Sequence, residues 1–195
     1  MRNPETTPAT QAAQIVFTPA RVVRRSVAIL GGALLVAVAA QFAVPLPGTP
    51  VPLTLQVPAV LLVAGLLGPR AGAASMAVYL GLGIAGLPVF APIGPQGFAR
   101  LLGPTGGYLL AYPVAAALTG QIVGDARSWP RLGAALLAGL AAMYLGGTAQ
   151  LAVLTGDTGN ALRLGSLPFL LLDLVKLLVV ALLLRRFTAT FRARP

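Results

Sequence analysis

The chain has 195 residues, of which 57% are hydrophobic and only 9% charged, and its net charge is +10. A soluble domain carries about 25% charged residues, and a water-facing surface depends on them. The composition argues against a soluble globular enzyme and supplies apolar residues for five or six membrane spans of about 20 residues each, with short loops between them.

Residues 1–20 are polar, rich in Thr, Ala and Pro, and aperiodic, which predicts a disordered tail. Arg21, Arg24 and Arg25 then precede an apolar run from Ser26 to Val44. The order of charge, apolar run and small residues resembles a signal peptide, but the run is about 19 residues against a signal core of about 7–15. It is read as the first span. Pro45, Pro47, Pro50 and Pro52 form a proline-rich link. A second span is predicted from Pro52 to Gly68, with its proline tolerated in the first turn, and a third from Ala71 to Leu87. Residues 88–104 hold several prolines and glycines and read as a loop, with a short helical piece at Phe98–Leu102. The fourth span runs from Thr105 to Gly124 and contains Pro113, a kink site. The fifth runs from Leu132 to Leu154, a polar turn covers Thr155–Gly165, and the sixth runs from Ser166 to Leu184. The expected organisation is a tail at 1–20, a six-helix membrane domain at 21–187 and a basic tail at 188–195. The fold class is all-α integral membrane.

Orientation follows from the arginines. With six spans, eleven of them fall on one side: Arg2, Arg21, Arg24, Arg25, Arg70, Arg127, Arg131, Arg185, Arg186, Arg192 and Arg194. Arg100 and Arg163 fall on the other. Both termini are expected in the cytoplasm of a prokaryote, the chain crossing its plasma membrane several times. The excess of positive charge thus reads as topology, and nucleic acid is not an expected partner.

The chemistry available is narrow. There is no Cys and no His, so thiolate sites, disulfides, the usual zinc ligand and the usual neutral-pH base are all missing. Glu5, Asp125, Asp157 and Asp173 are the only acids, too few for paired-carboxylate catalysis or a metal cage. No metal, no cofactor and no catalytic residue is expected. An integral-membrane enzyme would have to rely on Lys176, Ser or Tyr. A channel lacks the polar rings it needs.

Inside the spans, Asp173 and Lys176 carry the only full charges. Each costs about 2.5–3.5 kcal/mol at a helix centre on insertion scales. Their i, i+3 spacing puts them on one helix face. One reading is an ion pair that only neutralises itself; the other is a pair that contacts a polar ligand. Thr54, Gln56, Thr105, Gly106, Gly107 and Tyr108 lie at the same end of neighbouring spans, with Arg100 just before them. A helix start rich in small residues exposes N–H groups that suit a carboxylate, although Gly106-Gly107 also fits close helix packing. Tyr79 and Tyr112 are open to a pocket role or a packing role. Gln150 is equally open. Ala33 and Ala37 make a small-x-x-x-small pattern that suits close approach of another helix.

The stretch Pro45-Leu-Pro-Gly-Thr-Pro-Val-Pro-Leu-Thr-Leu-Gln56 resembles the first loop and second helix of the BioY family. Gly86-Leu-Pro-Val-Phe90, Leu102-Gly-Pro-Thr-Gly-Gly-Tyr108 and Asp173-x-x-Lys176 are similar to that family's later signatures. The likeness covers about residues 26–185 in order and spacing. BioY proteins are biotin-binding S components of energy-coupling factor (ECF) transporters. The resemblance implies an S-component bundle in which biotin enters from the outer face. It also implies a transmembrane coupling subunit, docking at Ala33 and Ala37, and two ATPase subunits. A homo-oligomer is compatible with it, and the nearest rival ligand is another vitamin or small solute. Asp173 is then expected to accept a ureido N–H and Lys176 to donate to a biotin oxygen. Arg100 or the backbone around Thr105–Tyr108 would hold the carboxylate. Gln56 and Thr54 would line the opening, beneath the loop 45–52 as a lid.

Overall fold

A computed structural model describes residues 19–124 and 128–192. Eight helices and one small hairpin are present among them: α1 Pro19–Gln41, β1 Ala43–Val44, β2 Leu53–Thr54, α2 Gln56–Leu67, α3 Pro69–Ile84, α4 Ala99–Leu102, α5 Gly106–Val123, α6 Trp129–Thr155, α7 Thr158–Gly165 and α8 Leu167–Arg192. Six of these helices, α1, α2, α3, α5, α6 and α8, fall where the six apolar runs predict them. The expected tail lies mostly outside the described residues, as do Glu5, Asp125 and Arg127. α8 continues past the expected end at Leu184 as far as Arg192.

Among the described residues, four helices are long and apolar enough to cross a membrane: α1, α5, α6 and the Leu167–Phe187 part of α8. α2 has 12 residues and α3 has 16. At 1.5 Å per residue these reach about 18 and 24 Å, short of the roughly 30 Å hydrocarbon core. Their shortness has a local cause. Gly68, at φ 81°, ends α2 in a conformation that suits glycine, and Pro69 starts α3 at once.

Two elements differ from expectation. The proline-rich link is the loop of a two-stranded antiparallel hairpin, pairing Ala43 with Thr54 and Val44 with Leu53. The polar turn after α6 contains α7, capped by the Asp157 side chain, which accepts from the Gly159 N–H at 2.7 Å.

Apolar side chains point both ways, as they do where the surrounding solvent is lipid. Leu34 is 64% exposed on α1 and Leu171 73% exposed on α8. The inward stripe of α8 carries Phe169, Asp173, Leu177, Ala181 and Leu184, a spacing of three or four residues that keeps one face turned to the bundle. Asp173 therefore belongs to the packed face. α5 and α6 meet almost backbone to backbone. A Cβ on Gly107 would collide with the Gly146 carbonyl, and one on Gly147 would enter the Tyr108 ring.

The arginines separate along the bundle. Arg131 donates to the Ile122 carbonyl at 2.6 Å, and Arg185 stacks 4.4 Å over the Trp129 ring, so the end of α8 meets the α5–α6 connection. Gly120 of α5 abuts Gly68 and Pro69, placing Arg70 at the same end. Arg100 and Arg163 belong to α4 and α7, at the end that holds the hairpin.

Candidate functional site

A hollow of about 50 Å³ lies at the hairpin end, walled by β2, α2, α4, α5, α6, α8 and the loop before β2. Its apolar walls include Val51, Phe90, Leu109 and Phe169. Its polar groups come from five helices and the hairpin: Thr54, Gln56, Arg100, Tyr108, Tyr144 and the Asp173–Lys176 pair. Thr105 and Tyr112 also line it.

The charged pair is well made. Asp173 is 3% exposed, and its Oδ1 accepts from Lys176 Nζ at 2.9 Å. Lys176 Nζ also donates to the Thr54 carbonyl at 3.0 Å, tying α8 to the hairpin. The second carboxylate oxygen, Oδ2, accepts from the Tyr144 hydroxyl at 2.8 Å. A buried ion pair survives in a low dielectric when further hydrogen bonds satisfy its remaining atoms, and these do so.

Arg100 is the other cation on the cavity wall and the more deeply buried, 4% exposed. Its Nη1 donates to the carbonyls of Ile93 and Pro95, folding the loop 91–99 around the side chain. Its Nε has no partner among the described residues. An orphaned buried N–H costs about 1–3 kcal/mol, more when charged, and here it belongs to a residue on the cavity wall. Burial pulls the guanidinium below its ordinary pKa, with the nearby Tyr79 and Tyr112 hydroxyls acting the other way. By formal charge, Arg100, Lys176 and Asp173 give the cavity one net positive charge, which suits a guest with a single carboxylate.

The remaining expected residues divide by how they pack. Gln56 donates to the Tyr79 hydroxyl at 2.7 Å, so Gln56 is on the wall and Tyr79 stands behind it. Tyr79 in turn meets Phe90 edge-on and stacks on Tyr112. Tyr108 lines the cavity and donates to the Gly165 carbonyl at 2.6 Å. Gly106 and Gly107 do not reach the cavity. Cβ atoms there would strike the Leu101 and Gly146 carbonyls, so both glycines serve the packing of α5 against α4 and α6. Gln150 is structural too: its amide donates to the Leu101 and Gly103 carbonyls, both at 2.7 Å.

Ala33 and Ala37, the expected docking positions, do not lie on the outer surface of the bundle. They are 1% and 7% exposed, turned into the bundle. On the same face, a Cβ on Gly32 would press on Ser75 and Val63, so this small-residue stripe brings α1 close to α2 and α3 rather than facing outward.

Sequence reasoning missed Tyr144. Its available signal was position: it lies one turn beyond Leu140 and next to Met143, on the side of α6 that the bundle buries.

Fold and site together define a class: a small polytopic membrane protein with a closely walled, net-positive cavity near one end, suited to holding a polar solute. The BioY family model matches residues 8–193. The biotin transporter BioY of Thermotoga maritima is 40% identical over 152 residues, 78% of this chain and 88% of that one. The biotin transporter BioY2 of Lactococcus lactis is 36% identical over 154 residues, 77% of this chain and 82% of that one. The crystal structure of the S-component for biotin from an ECF-type ABC transporter superposes with a TM-score of 0.81 at 26% identity, covering 91% of this chain and 98% of that chain. The chain belongs to the BioY family.

Proposed function

We propose that this protein takes up biotin as the substrate-binding S component of an ECF transporter. The observation that carries the reading is the cavity that gathers Asp173, Lys176 and Arg100 at one end of the bundle. Biotin has two ureido N–H donors, a ureido carbonyl and a valerate carboxylate. Asp173 accepts a ureido N–H, Lys176 donates to the ureido oxygen, and the free Arg100 Nε–H meets the carboxylate. Charge is then balanced within the site. The role is binding and transport, not catalysis.

The cavity has space for a few waters, since one needs about 10–15 Å³ in this measure. A bicyclic ring with a five-carbon tail needs more, so the walls must shift. The loop 45–52 is the candidate lid: Val51 is buried against the cavity, and Thr49 holds the loop by donating to the Leu164 carbonyl at 2.6 Å. The hairpin end faces outward and the arginine end faces the cytoplasm of a prokaryote, with α2 and α3 completing six spans. A transmembrane coupling subunit and two ATPase subunits supply the energy.

Labelled-biotin binding to the purified protein in detergent tests the reading, with other vitamins as competitors. Retention of biotin alone is expected; displacement by a different vitamin would reassign the ligand. D173N and K176A should each lose binding by about 100-fold or more, as expected when a charge-assisted bond is lost and its partner stays buried. Wild-type affinity in both variants would refute the pair's role.

A further inference from the structure

We infer that Tyr144 is a positioning residue for ligand choice: it sets the Asp173 carboxylate so that the acid selects a guest with a ureido N–H. This rests on the biotin reading above. Three observations carry it. Tyr144 lies on the cavity wall. Its hydroxyl donates to Asp173 Oδ2 at 2.8 Å, while Lys176 donates to Oδ1 at 2.9 Å. The two donors come from different helices, α6 and α8.

A carboxylate held by Lys176 alone is free to swing about its terminal torsion, which is broad and roughly two-fold. A second donor on the second oxygen removes that freedom and fixes the plane of the group. Each oxygen has two lone pairs, and each spends one on a protein donor. One lone pair per oxygen remains, in a fixed direction, for a guest that brings an N–H. A guest without that N–H leaves a buried anion underpaired, which is how a polar site rejects analogues strongly. Satisfying the tyrosine itself does not require this arrangement, because Tyr108 in the same wall satisfies its hydroxyl on a backbone carbonyl.

The test pairs protein variants with ligand variants. The ligands are biotin and its two mono-N-methyl ureido derivatives. In the wild type, methylation at the nitrogen facing Asp173 should weaken binding sharply, and methylation at the other nitrogen much less. Y144F should weaken biotin about 10-fold, as for the loss of one hydrogen bond to a charged group. On the analogue methylated toward Asp173, Y144F should cost less than about 2-fold, because the bond it tunes is already gone. In a D173N background, Y144F should likewise change little. Y144M repeats the series with a side chain that fills the space without a ring, and unfolding midpoints of the ligand-free proteins report whether each variant folds. Equal losses on all three ligands, or an undiminished loss in D173N, would overturn the inference and show Tyr144 as packing only. Failure of the wild type to hold biotin would instead sink the reading on which it rests.

Discussion

The two ends of the bundle treat the same kind of charge in opposite ways. At the hairpin end, Arg100 is buried, wrapped by backbone carbonyls, and its Nε–H has no partner among the described residues. At the other end, Arg185 lies over the half-exposed Trp129 ring, and Arg131 caps a helix-end carbonyl from an exposed position. Arginines exposed at a membrane face keep their solvation, and their cost is small. A buried one must be compensated atom by atom. The contrast fits the proposed function, in which the exposed end sets orientation and the buried end keeps a charge for the guest to meet.

The comparison is broken most severely by halving the ion pair. K176M leaves Asp173 with Tyr144 as its only side-chain donor among the described residues, in a site 3% exposed. D173N leaves Lys176 bonded to Thr54 and with an 18% exposed side chain. K176M should therefore destabilise more, by about 3–5 kcal/mol, as for a buried pair deprived of one member. The double variant D173N/K176M should be less destabilised than the two losses added together. Denaturation of the detergent-solubilised proteins reads both, and strict additivity would show that the pair is not coupled.

Next in size is Arg100. R100M should weaken biotin by about 10–100-fold through loss of a charged hydrogen bond, and R100K should restore only part of it, since an ammonium cannot reproduce the fork. Biotin amide, which lacks the anion, separates the two roles of this residue. If R100M weakens the amide as much as the acid, Arg100 serves only to fold the loop 91–99. G107A sharpens the comparison from the packing side. Its methyl group runs into the Gly146 carbonyl, so about 1–3 kcal/mol of stability should be lost, with biotin recognition following only as the fold is lost.

The charged members of the site were legible in the sequence because they are rare: Asp173 and Lys176 are the only full charges within the apolar runs. Arg100 was legible by its place in the loop that leads into α5. Tyr144 was not, since a tyrosine in an alanine-rich helix looks the same whether it packs or binds, and only the neighbouring helix decides. Gly106 and Gly107 were ambiguous for a related reason. A helix start that receives an anion and a helix start that receives another backbone both require small residues. The Ala33–Ala37 stripe showed that some helix would come close, but the chain's own α2 and α3 were not distinguished from a separate subunit. The hairpin was hidden by the brevity of its strands amid prolines, and α7 by the glycines and threonines that make its segment read as a turn.

The smallest expected effect is at the exposed end. R185A removes the cation over Trp129, a contact worth about 0.5–1 kcal/mol where it is exposed. The unfolding midpoint should fall by roughly 2–4 °C, in line with about 1 kcal/mol in a chain of this size. Biotin affinity should stay within 2-fold, because Arg185 and the cavity lie at opposite ends of the bundle. The same variant tested for uptake in cells should also insert normally, since Arg70, Arg131 and Arg186 still mark that end. A change in biotin affinity that exceeds the change in stability would mean that the two ends are coupled through α8, the helix that carries both Asp173 and Arg185. Exposed and buried charge would then be parts of one device, and the division drawn between them would fail.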